Sequence, residues 1–541
     1  MKKLDMLLIQ PFQGVIDKFS GCVENLGIGF ISSYLLSHGF STEVLYPTFY
    51  PKKFEQKLSN LLKRSPSIIG LSVVTYYYHP EIKKFTKLLR KKGYKNKIVV
   101  GGHSISFYPE EILKQDENVD YVIVGQGEEP TRQLIQALKH NDISSVYKIP
   151  SLLYRYKNRI IKNDIYKKFD ISNIPIPDRR YLDDLSEKEK ANTLYSVSLS
   201  RGCFGTCEFC SIYQYYKKFS NRMWSTRDLN DVTDEIKWLN KKGIKEFMFV
   251  DDEFFGNAKD RLPRIYLLCS LLKKKNIHTK FCIQCRADSI SREVLAELKE
   301  VGLVHVFLGV EFFTDEELKL YRKNISLEKN KEAIRLIKDL GLSLQCGFIM
   351  FHPYSTLNYI KRNLEMSDEV GEGKPFNFTT KLDPYYGTRI HSKIKKDGLL
   401  KIHNHKPSIK FKDSNVKKLY SFAQLLLKKY MRLVKIYLPL VDSITFEWRR
   451  IPQPGTFYYD YKNQLDNCIN QLNQKFFDIF YATTNFLIKF ENNINLMQEW
   501  CSWKKIAISR LNQELKVIEI QLVLLTKIKE EYNENRRHAK V

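Results

Sequence analysis

Short apolar runs alternate with helix-like stretches through about the first 390 residues, and this alternation restricts that part of the chain to α/β architectures. Helical periodicity between the runs supplies the crossovers that parallel strands require. The pattern predicts an open, doubly wound sheet, in which ligands bind beyond the carboxyl ends of the strands. Five runs near the N-terminus predict its strands: Met6–Gln10, Glu43–Tyr46, Ile68–Thr75, Lys97–Gly101 and Tyr121–Gly125.

The same alternation returns after residue 194, where amphipathic stretches again separate apolar runs. Between the two regions stand Pro150, Pro175 and Pro177, and residues that precede proline avoid the helical region. We therefore expect residues 146–194 to form an extended linker. Six runs predict a second set of parallel strands: Tyr195–Ser200, Lys245–Val250, Thr279–Gln284, Val304–Val310, Ser343–Met350 and Asn377–Leu382.

The last 150 or so residues have a different character. No glycine or proline follows Gly455, and apolar residues recur at helical spacing through Val416–Leu438, Leu465–Phe490 and Met497–Ile528. This predicts a helical domain whose many aromatic side chains pack between helices, with a substrate pocket as the alternative. The predicted domains are thus residues 1–145, a linker at 146–194, residues 195–395 and residues 396–541.

Three cysteines, Cys203, Cys207 and Cys210, lie within eight residues directly after a predicted strand. Soft thiolate ligands select zinc, copper(I) or iron–sulfur clusters. Structural zinc usually takes four ligands in two pairs, and no second Cys/His pair with finger-like spacing accompanies these three. An incomplete zinc loop stays possible, but three thiolates on a four-iron cluster leave one iron open to a substrate or cofactor. Cys282 and Cys285 are not expected to form a second metal site, because residues three apart on a strand point to opposite faces.

The spacing Cys203-x3-Cys207-x2-Cys210, with Phe209 before the last cysteine, resembles the signature of the radical S-adenosylmethionine (SAM) enzymes. The turns Gly101-Gly102-His103 and Gly125-Gln126-Gly127-Glu128 resemble those of the cobalamin-binding domain that precedes the core in one subfamily of these enzymes. The resemblance implies an α/β chain with a Rossmann-like cobalamin-binding domain, a radical SAM partial (β/α)6 barrel and, from the periodicity above, a helical C-terminal domain.

The resemblance also implies roles for particular residues. The three cysteines would bind the cluster, with no catalytic side chain assigned. SAM would contact Phe209, Asp252, Glu253, Arg286 and Glu311, with Arg286 pairing with its carboxylate; the alternative for each charged residue is a surface ion pair. No Asp-x-His-x-x-Gly sequence is present, so His103 is expected to be a turn residue rather than a cobalt ligand. Cobalamin would contact Gln10, Ser72, Thr75, Gly101, Gly102, His103, Gly125, Gly127 and Glu128.

The function implied by the resemblance is methyl transfer through a 5′-deoxyadenosyl radical, to an unactivated carbon or a phosphinate phosphorus. The substrate would be a small metabolite or a peptide precursor, as in secondary metabolite biosynthesis, and the cofactors a [4Fe–4S] cluster, SAM and cobalamin. An electron donor such as flavodoxin or ferredoxin is expected as a partner. A cobalamin-dependent rearrangement, cyclisation or oxidation without methyl transfer stays open. Less favoured are an RNA-modifying radical SAM enzyme and a purely structural iron–sulfur protein.

Composition limits the partners and the compartment. The formal net charge is +27, but lysine is spread along the whole chain, which favours solvated helix faces over a nucleic-acid surface. No run approaches the roughly 18 apolar residues of a membrane span, and the first apolar run is too short for a secretion signal. Ten cysteines without a secretion signal predict a reducing, cytoplasmic location.

Overall fold

A computed structural model describes residues 3–11, 22–49, 53–73, 80–191, 193–256, 261–403, 406–442, 456–491 and 496–538. The chain folds into two units. The first unit comprises Met1–Gly309, Lys319–Gln345 and Asp383–Ser408. The second unit comprises Val310–Leu318, Cys346–Leu382 and Ile409–Val541.

The strands and helices follow the predicted alternation of apolar runs and amphipathic stretches. The strands are β1 Met6–Ile9, β2 Cys22–Val23, β3 Thr42–Leu45, β4 Ile68–Ser72, β5 Lys97–Gly101, β6 Tyr121–Ile123, β7 Leu152–Tyr156, β8 Arg159–Lys162, β9 Thr193–Val197, β10 Ser200–Gly202, β11 Trp224–Thr226, β12 Glu246–Phe249, β13 Lys280–Arg286, β14 Leu303–Glu311, β15 Ser343–Phe348, β16 Leu400–His403 and β17 Lys406–Ile409. The helices are α1 Leu26–Ser37, α2 Phe54–Lys63, α3 Pro80–Lys91, α4 Pro109–Gln115, α5 Glu128–Lys139, α6 Ile143–Val146, α7 Glu187–Ala191, α8 Ser211–Phe219, α9 Leu229–Lys241, α10 Arg261–Lys274, α11 Arg292–Glu300, α12 Asp315–Leu320, α13 Leu327–Asp339, α14 Leu357–Glu369, α15 Pro375–Phe378, α16 Arg389–Lys396, α17 Ser414–Asp442, α18 Thr456–Lys489 and α19 Leu496–His538.

The first sheet has the order β3-β1-β4-β5-β6-β7-β8. Its first five members pair in parallel and are the five strands predicted near the N-terminus. The last two, β7 and β8, pair antiparallel and come from the segment predicted to be an extended linker. They are joined by Lys157 and Asn158, which both have positive φ, as a two-residue hairpin turn requires. The predicted linker therefore contains a hairpin that extends this sheet.

The second sheet has the order β15-β14-β13-β12-β9-β2. Five of its strands were predicted, but the prediction of a strand over Asn377–Leu382 is wrong. That segment overlaps the short helix α15, which begins at Pro375, and then contributes only an isolated parallel bridge from Lys381 to Phe351. Proline at the first helical position favours such a helix start. The sixth strand is instead β2, which pairs in parallel with β9.

A buried ionic network fixes the predicted linker inside the first unit. Arg179 donates to Glu24 Oε1 at 2.6 Å and to Glu235 Oε1 at 2.7 Å, and all three side chains are at most 1% exposed. Its remaining nitrogen donates to the Ser196 carbonyl of β9 at 2.6 Å. Arg227 holds the other oxygen of Glu235 at 2.7 Å. One arginine thus connects the linker with β9, with α9 and with the residue that follows β2.

In the second unit the long helices α17, α18 and α19 pack on one another, as the spacing of apolar residues predicts. Trp503 stacks on Phe486 with ring centroids 4.8 Å apart, and Phe457 stacks on Tyr532 at 4.4 Å. These contacts agree with aromatic packing between helices. Over the residues described above, no helix combines the length and apolar character needed to cross a bilayer.

Candidate functional site

The three clustered cysteines lie on a loop between a short strand and a helix. Strand β10 pairs antiparallel with β11 and ends at Gly202, where φ is +96° and a Cβ would lie 2.1 Å from the Met223 carbonyl oxygen. Only glycine fits there. The loop then carries Cys203 and Cys207, and Cys210 is the N-cap of α8. The cysteines therefore follow a strand on a loop, as predicted, and the helix that comes after the loop was not predicted.

The cysteine thiols lie in a poorly hydrated environment. Burial raises the pKa of Cys203 and of Cys210 to about 12, which favours the neutral thiols at pH 7, whereas a bound metal would favour the thiolates. In the described part of the chain, no three His, Cys, Asp or Glu side chains converge on a point that a single ion could occupy. A four-iron cluster does not require such convergence, because each cysteine binds a different iron. The loop and its soft donors fit a cluster.

Arg286, at the end of β13, lies against this loop. Its Nε and one terminal nitrogen donate to the two carboxylate oxygens of Asp288 at 2.9 and 3.0 Å. The other terminal nitrogen, Nη1, lies 3.8 Å from Cys207 Sγ. The predicted SAM-carboxylate partner is therefore already engaged with an acidic residue two positions along the chain.

Three consecutive acidic side chains follow β12, and burial raises their pKa values: Asp251 to about 7, Asp252 to about 6 and Glu253 to about 7. Asp251 accepts from the backbone of Leu199 and Ser200, which fixes the turn before the cysteine loop. Glu253 accepts from the amides of Arg286 and Phe255. Asp252 accepts from the Gly202 amide at 3.1 Å. The two carboxylates predicted to contact SAM thus lie beside the loop. Glu253 accepts two backbone hydrogen bonds, whereas Asp252 accepts one.

The remaining predicted SAM contacts are less closely tied to the loop. Phe209 belongs to the loop and pairs with the Tyr321 ring at 6.1 Å. Glu311 ends β14 and belongs to the second unit. Its φ is +69°, a left-handed conformation that costs a non-glycine residue free energy and that is enriched at functional sites. Its carbonyl accepts from the Ile349 amide at 2.8 Å.

A cavity of about 310 Å³ opens at the carboxyl ends of the strands of the first sheet. Seven of the nine predicted cobalamin contacts line it: Ser72, Gly101, Gly102, His103, Gly125, Gly127 and Glu128. Gly102 has a φ of +133°, and a Cβ there would lie 2.2 Å from the Val73 carbonyl oxygen. Glycine turns keep this end of the sheet free of side chains, so that a bulky ligand can approach the backbone. The glycine-lined opening therefore agrees with the approach of a bulky ligand such as the one that the glycine turns predicted.

The two other predicted cobalamin contacts differ. Gln10 does not line the cavity; its amide donates to the Leu45 carbonyl at 3.3 Å, and its Oε1 is buried. Thr75 lies outside the described residues. The structure therefore places Gln10 outside the lining of this cavity, and its contact with cobalamin stays a prediction.

The cavity also has a wall from the second sheet, within the same unit. Ser198 and Val250 follow β9 and β12, Arg201 lies in β10, and Tyr215 and Tyr216 lie in α8. The helix that begins directly after Cys210 therefore reaches the cavity. The cysteine loop and the glycine turns border the same region of the first unit.

His103 and Arg201 connect these two walls. His103 Nε2 lies 3.0 Å from Ser211 Oγ, and its ring stacks on Tyr215 with centroids 4.2 Å apart. Burial lowers the pKa of His103 to about 4, so the ring is neutral at pH 7. Arg201 donates to Glu128 at 2.8 Å and to Gln126 at 3.3 Å.

Sequence reasoning missed Arg201, Gln126, Ser211, Tyr215 and Tyr216. The sequence offered one signal, since Arg201 directly precedes the Gly202-Cys203 turn and the tyrosines follow the last cysteine on one short helix. Nothing in the pattern showed that these residues would meet the glycine turns, because Glu128 and Arg201 are 73 positions apart.

Comparison with known proteins gives two family matches. The model of the radical SAM superfamily matches residues 197–366, and the model of the B12 binding domain matches residues 13–135. The first match contains the three cysteines and Arg286. The second contains eight of the nine predicted cobalamin contacts, all except Gln10.

Three individual proteins are similar to this chain. A Methanocaldococcus jannaschii protein with the provisional name methylthiotransferase is 30% identical over 279 residues, covering 50% of this chain and 57% of that protein. The hopanoid C-3 methylase of Methylococcus capsulatus is 26% identical over 288 residues, covering 52% of this chain and 53% of that protein. The chain thus spans little more than half the length of both relatives. The structure of the cobalamin-dependent SAM radical enzyme OxsB with aqua-cobalamin matches with a TM-score of 0.73 at 20% identity, covering 98% of this chain and 81% of that one, which shows a shared fold.

Proposed function

This chain belongs to the radical SAM enzymes that carry a B12-binding domain, and we propose that it is a methyltransferase. Its expected cofactors, a [4Fe–4S] cluster, SAM and cobalamin, are confirmed by this membership. The proposed acceptor is an unactivated carbon, or a phosphinate phosphorus, of a small metabolite or a peptide precursor. The hopanoid methylase supports methyl transfer to carbon as the reaction class.

The cavity bordered by both sheets is the observation that carries the proposal. Its floor is made by the glycine turns at Gly101–Gly102 and Gly125–Gly127, and its opposite wall by Arg201, Tyr215 and Tyr216. A methyltransferase of this kind has to bring its radical source and its methyl source close to one substrate, away from water. A shared cavity beside the cysteine loop meets that requirement.

The cofactors would supply the difficult chemistry: when bound, the cluster and SAM provide a 5′-deoxyadenosyl radical that takes hydrogen from an unactivated carbon, and cobalamin provides the methyl group. Cys203, Cys207 and Cys210 would hold the cluster. Asp252, whose carboxylate accepts one backbone bond from Gly202, would receive the amino group of SAM.

The other residues would position and shield these groups. Arg201, fixed between Glu128 and Gln126, closes one side of the cavity with a charge already neutralised by Glu128. The rings of Tyr215 and Tyr216 cover the wall nearest the cysteine loop and limit the entry of water.

The electron that starts the reaction would come from a small donor such as flavodoxin or ferredoxin. The nine cysteines whose side chains the structure describes are all free, which agrees with a reducing compartment such as the cytoplasm.

One experiment tests the reaction class. The protein is purified without oxygen from cells supplied with cobalamin, its cluster is reconstituted with iron and sulfide, and SAM and dithionite are added. Bound corrinoid, 5′-deoxyadenosine and S-adenosylhomocysteine are then measured. A methyltransferase should bind corrinoid and release both products, with at least one equivalent of S-adenosylhomocysteine per corrinoid, because the methyl donor is a second SAM.

The other outcomes each remove a part of the proposal. Corrinoid and 5′-deoxyadenosine without S-adenosylhomocysteine would exclude methyl transfer and favour a rearrangement, cyclisation or oxidation. Release of 5′-deoxyadenosine without bound corrinoid would contradict the role given to the cavity.

A further inference from the structure

The guanidinium of Arg286 is held in one orientation by its neighbours. Asp288 accepts two parallel hydrogen bonds from it, and the Lys323 carbonyl accepts a third at 2.9 Å. A bidentate carboxylate pair and a carbonyl leave such a group little rotational freedom. The side chain is 8% exposed, so the fixed charge is poorly screened by water.

The orientation directs Nη1 at the cysteine loop. Nη1 lies 3.8 Å from Cys207 Sγ, within range of a weak hydrogen bond to sulfur. A Cβ on Gly205 would lie 2.7 Å from the same nitrogen, so the approach depends on glycine at the position midway between Cys203 and Cys207. The Phe204 ring covers the guanidinium at 5.5 Å and keeps solvent from it.

This geometry does not suit the role that the resemblance implied. The fork of Arg286 that would grip the carboxylate of SAM already grips Asp288, and its free direction faces a cluster ligand instead. Hydrogen bonds and charges next to the sulfurs are among the factors that set the potential of an iron–sulfur cluster.

We propose that Arg286 is a positioning residue that raises the reduction potential of the cluster bound by Cys207, with Asp288 and the Lys323 carbonyl holding it in place. One electron from an external donor enters the cluster, and no covalent bond forms or breaks. The reduced cluster carries one more negative charge than the oxidised cluster, and the adjacent guanidinium stabilises that extra charge. The inference rests on the cluster site of the proposed function.

The test uses the full chain with its cluster reconstituted. Iron and sulfide content is measured first, and the midpoint potential is then measured by a dithionite titration followed by electron paramagnetic resonance, without SAM. Arg286→Gln should keep its iron but lose at least tenfold in the reduction equilibrium constant, a midpoint potential about 59 mV more negative for a one-electron couple. Arg292→Gln is the control, because Arg292 forms an exposed pair with Asp339 and should leave the potential unchanged.

A second variant gives the opposite sign. Asp288→Asn removes a negative charge that offsets the guanidinium while keeping an oxygen acceptor, so its potential should rise. If Arg286→Gln assembles no cluster, Asp288→Asn alone tests the inference. An unchanged or lower midpoint potential in Asp288→Asn would then overturn it.

The inference also fails if Arg286→Gln keeps the wild-type potential but binds SAM at least tenfold more weakly, since Arg286 would then act on SAM. Failure of the cluster site itself would be visible separately, as a wild-type protein that takes up no iron.

Discussion

His103 Nε2 lies 3.0 Å from Ser211 Oγ, which joins a glycine turn of the first sheet to the residue directly after Cys210. The ring also stacks on Tyr215 of the same helix. A ligand that displaces the glycine turn therefore acts on the helix that begins at the last cysteine. This histidine is better explained as a connection between the two halves of the cavity than as a cobalt ligand.

The His103 contact predicts a pH dependence of stability. Burial lowers the pKa of His103 from 6.5 to about 4, so the folded protein binds this proton less readily than the unfolded chain. The stabilisation is present above pH 6.5 and is lost as the pH falls toward 4. Between pH 7.5 and pH 5 the loss should reach about 2 kcal/mol, at 1.36 kcal/mol per pKa unit.

Urea unfolding of the wild type and of His103→Asn at both pH values measures this effect. The difference between the two proteins should shrink by about that amount at the lower pH. His278→Asn, at an exposed position, is the control and should show no such change. A pH-independent difference for His103→Asn would contradict the assignment.

Gly102→Ala should damage the cavity. The substitution places a methyl group 2.2 Å from the Val73 carbonyl oxygen in a backbone conformation with φ +133°. Gly93→Ala is the matched control, because Gly93 also has positive φ (+85°) but nothing within 4 Å of its Cβ position. The control should cost about 1–2 kcal/mol from backbone strain alone. Gly102→Ala should lower the free energy of unfolding by more than the control does, as measured by urea unfolding. It should also lose, on gel filtration, the corrinoid that the wild type retains. Equal behaviour of the two variants would argue against a tight turn at Gly102.

Cys207→Ala should abolish cluster assembly, because two thiolates cannot replace three on a four-iron cluster. Iron and sulfide content after reconstitution is the measurement, and the variant should retain almost none. Cys501→Ala, at an exposed position on α19, should assemble a full cluster. A Cys207→Ala protein with full iron and SAM cleavage would exclude the proposed cluster site.

Arg179→Met should destabilise the first unit strongly. Removal of the guanidinium leaves the carboxylates of Glu24 and Glu235 buried with fewer partners, which typically costs about 3–5 kcal/mol. Arg292→Met breaks an exposed pair with Asp339 and should cost about 1 kcal/mol or less. Urea midpoints followed by circular dichroism compare the two, and a similar small cost for both would show that the buried network contributes little.

The sequence predicted the α/β fold class correctly, and local apolar runs predicted ten of the strands: β1, β3, β4, β5, β6, β9, β12, β13, β14 and β15. Local patterns failed where the outcome depends on distant partners. Cys22–Val23 is too short to be seen as a strand, and it forms one only by pairing with Thr193–Leu194. At Asn377–Leu382 an apolar run was taken for a strand, although Pro375 starts a helix there.

The residues of the candidate site likewise divide into those with a local sequence signal and those whose contacts depend on distant partners. The cysteine spacing and the glycine turns are local signals, and the structure places those glycines around one cavity. The engagement of Arg286 with Asp288, and of Arg201 with Glu128, depends on the packing of the loop and was not visible in the spacing of residues. The assignment of individual SAM and cobalamin contacts stays a prediction.

The pairing of β2 with β9 has a consequence for the order of synthesis. Cys22 leaves the ribosome 171 residues before its partner Thr193, which at about 5–20 residues per second is a delay of roughly 10–35 s. During that time β9, the strand with which β2 pairs, has not yet been synthesised. The nascent N-terminal region alone therefore cannot complete the second sheet. A fragment that begins after residue 145 would in turn leave β9 as an open edge able to recruit a strand from another molecule. Completion of the second sheet therefore depends on a segment of the N-terminal region, although the two family matches are separate along the chain.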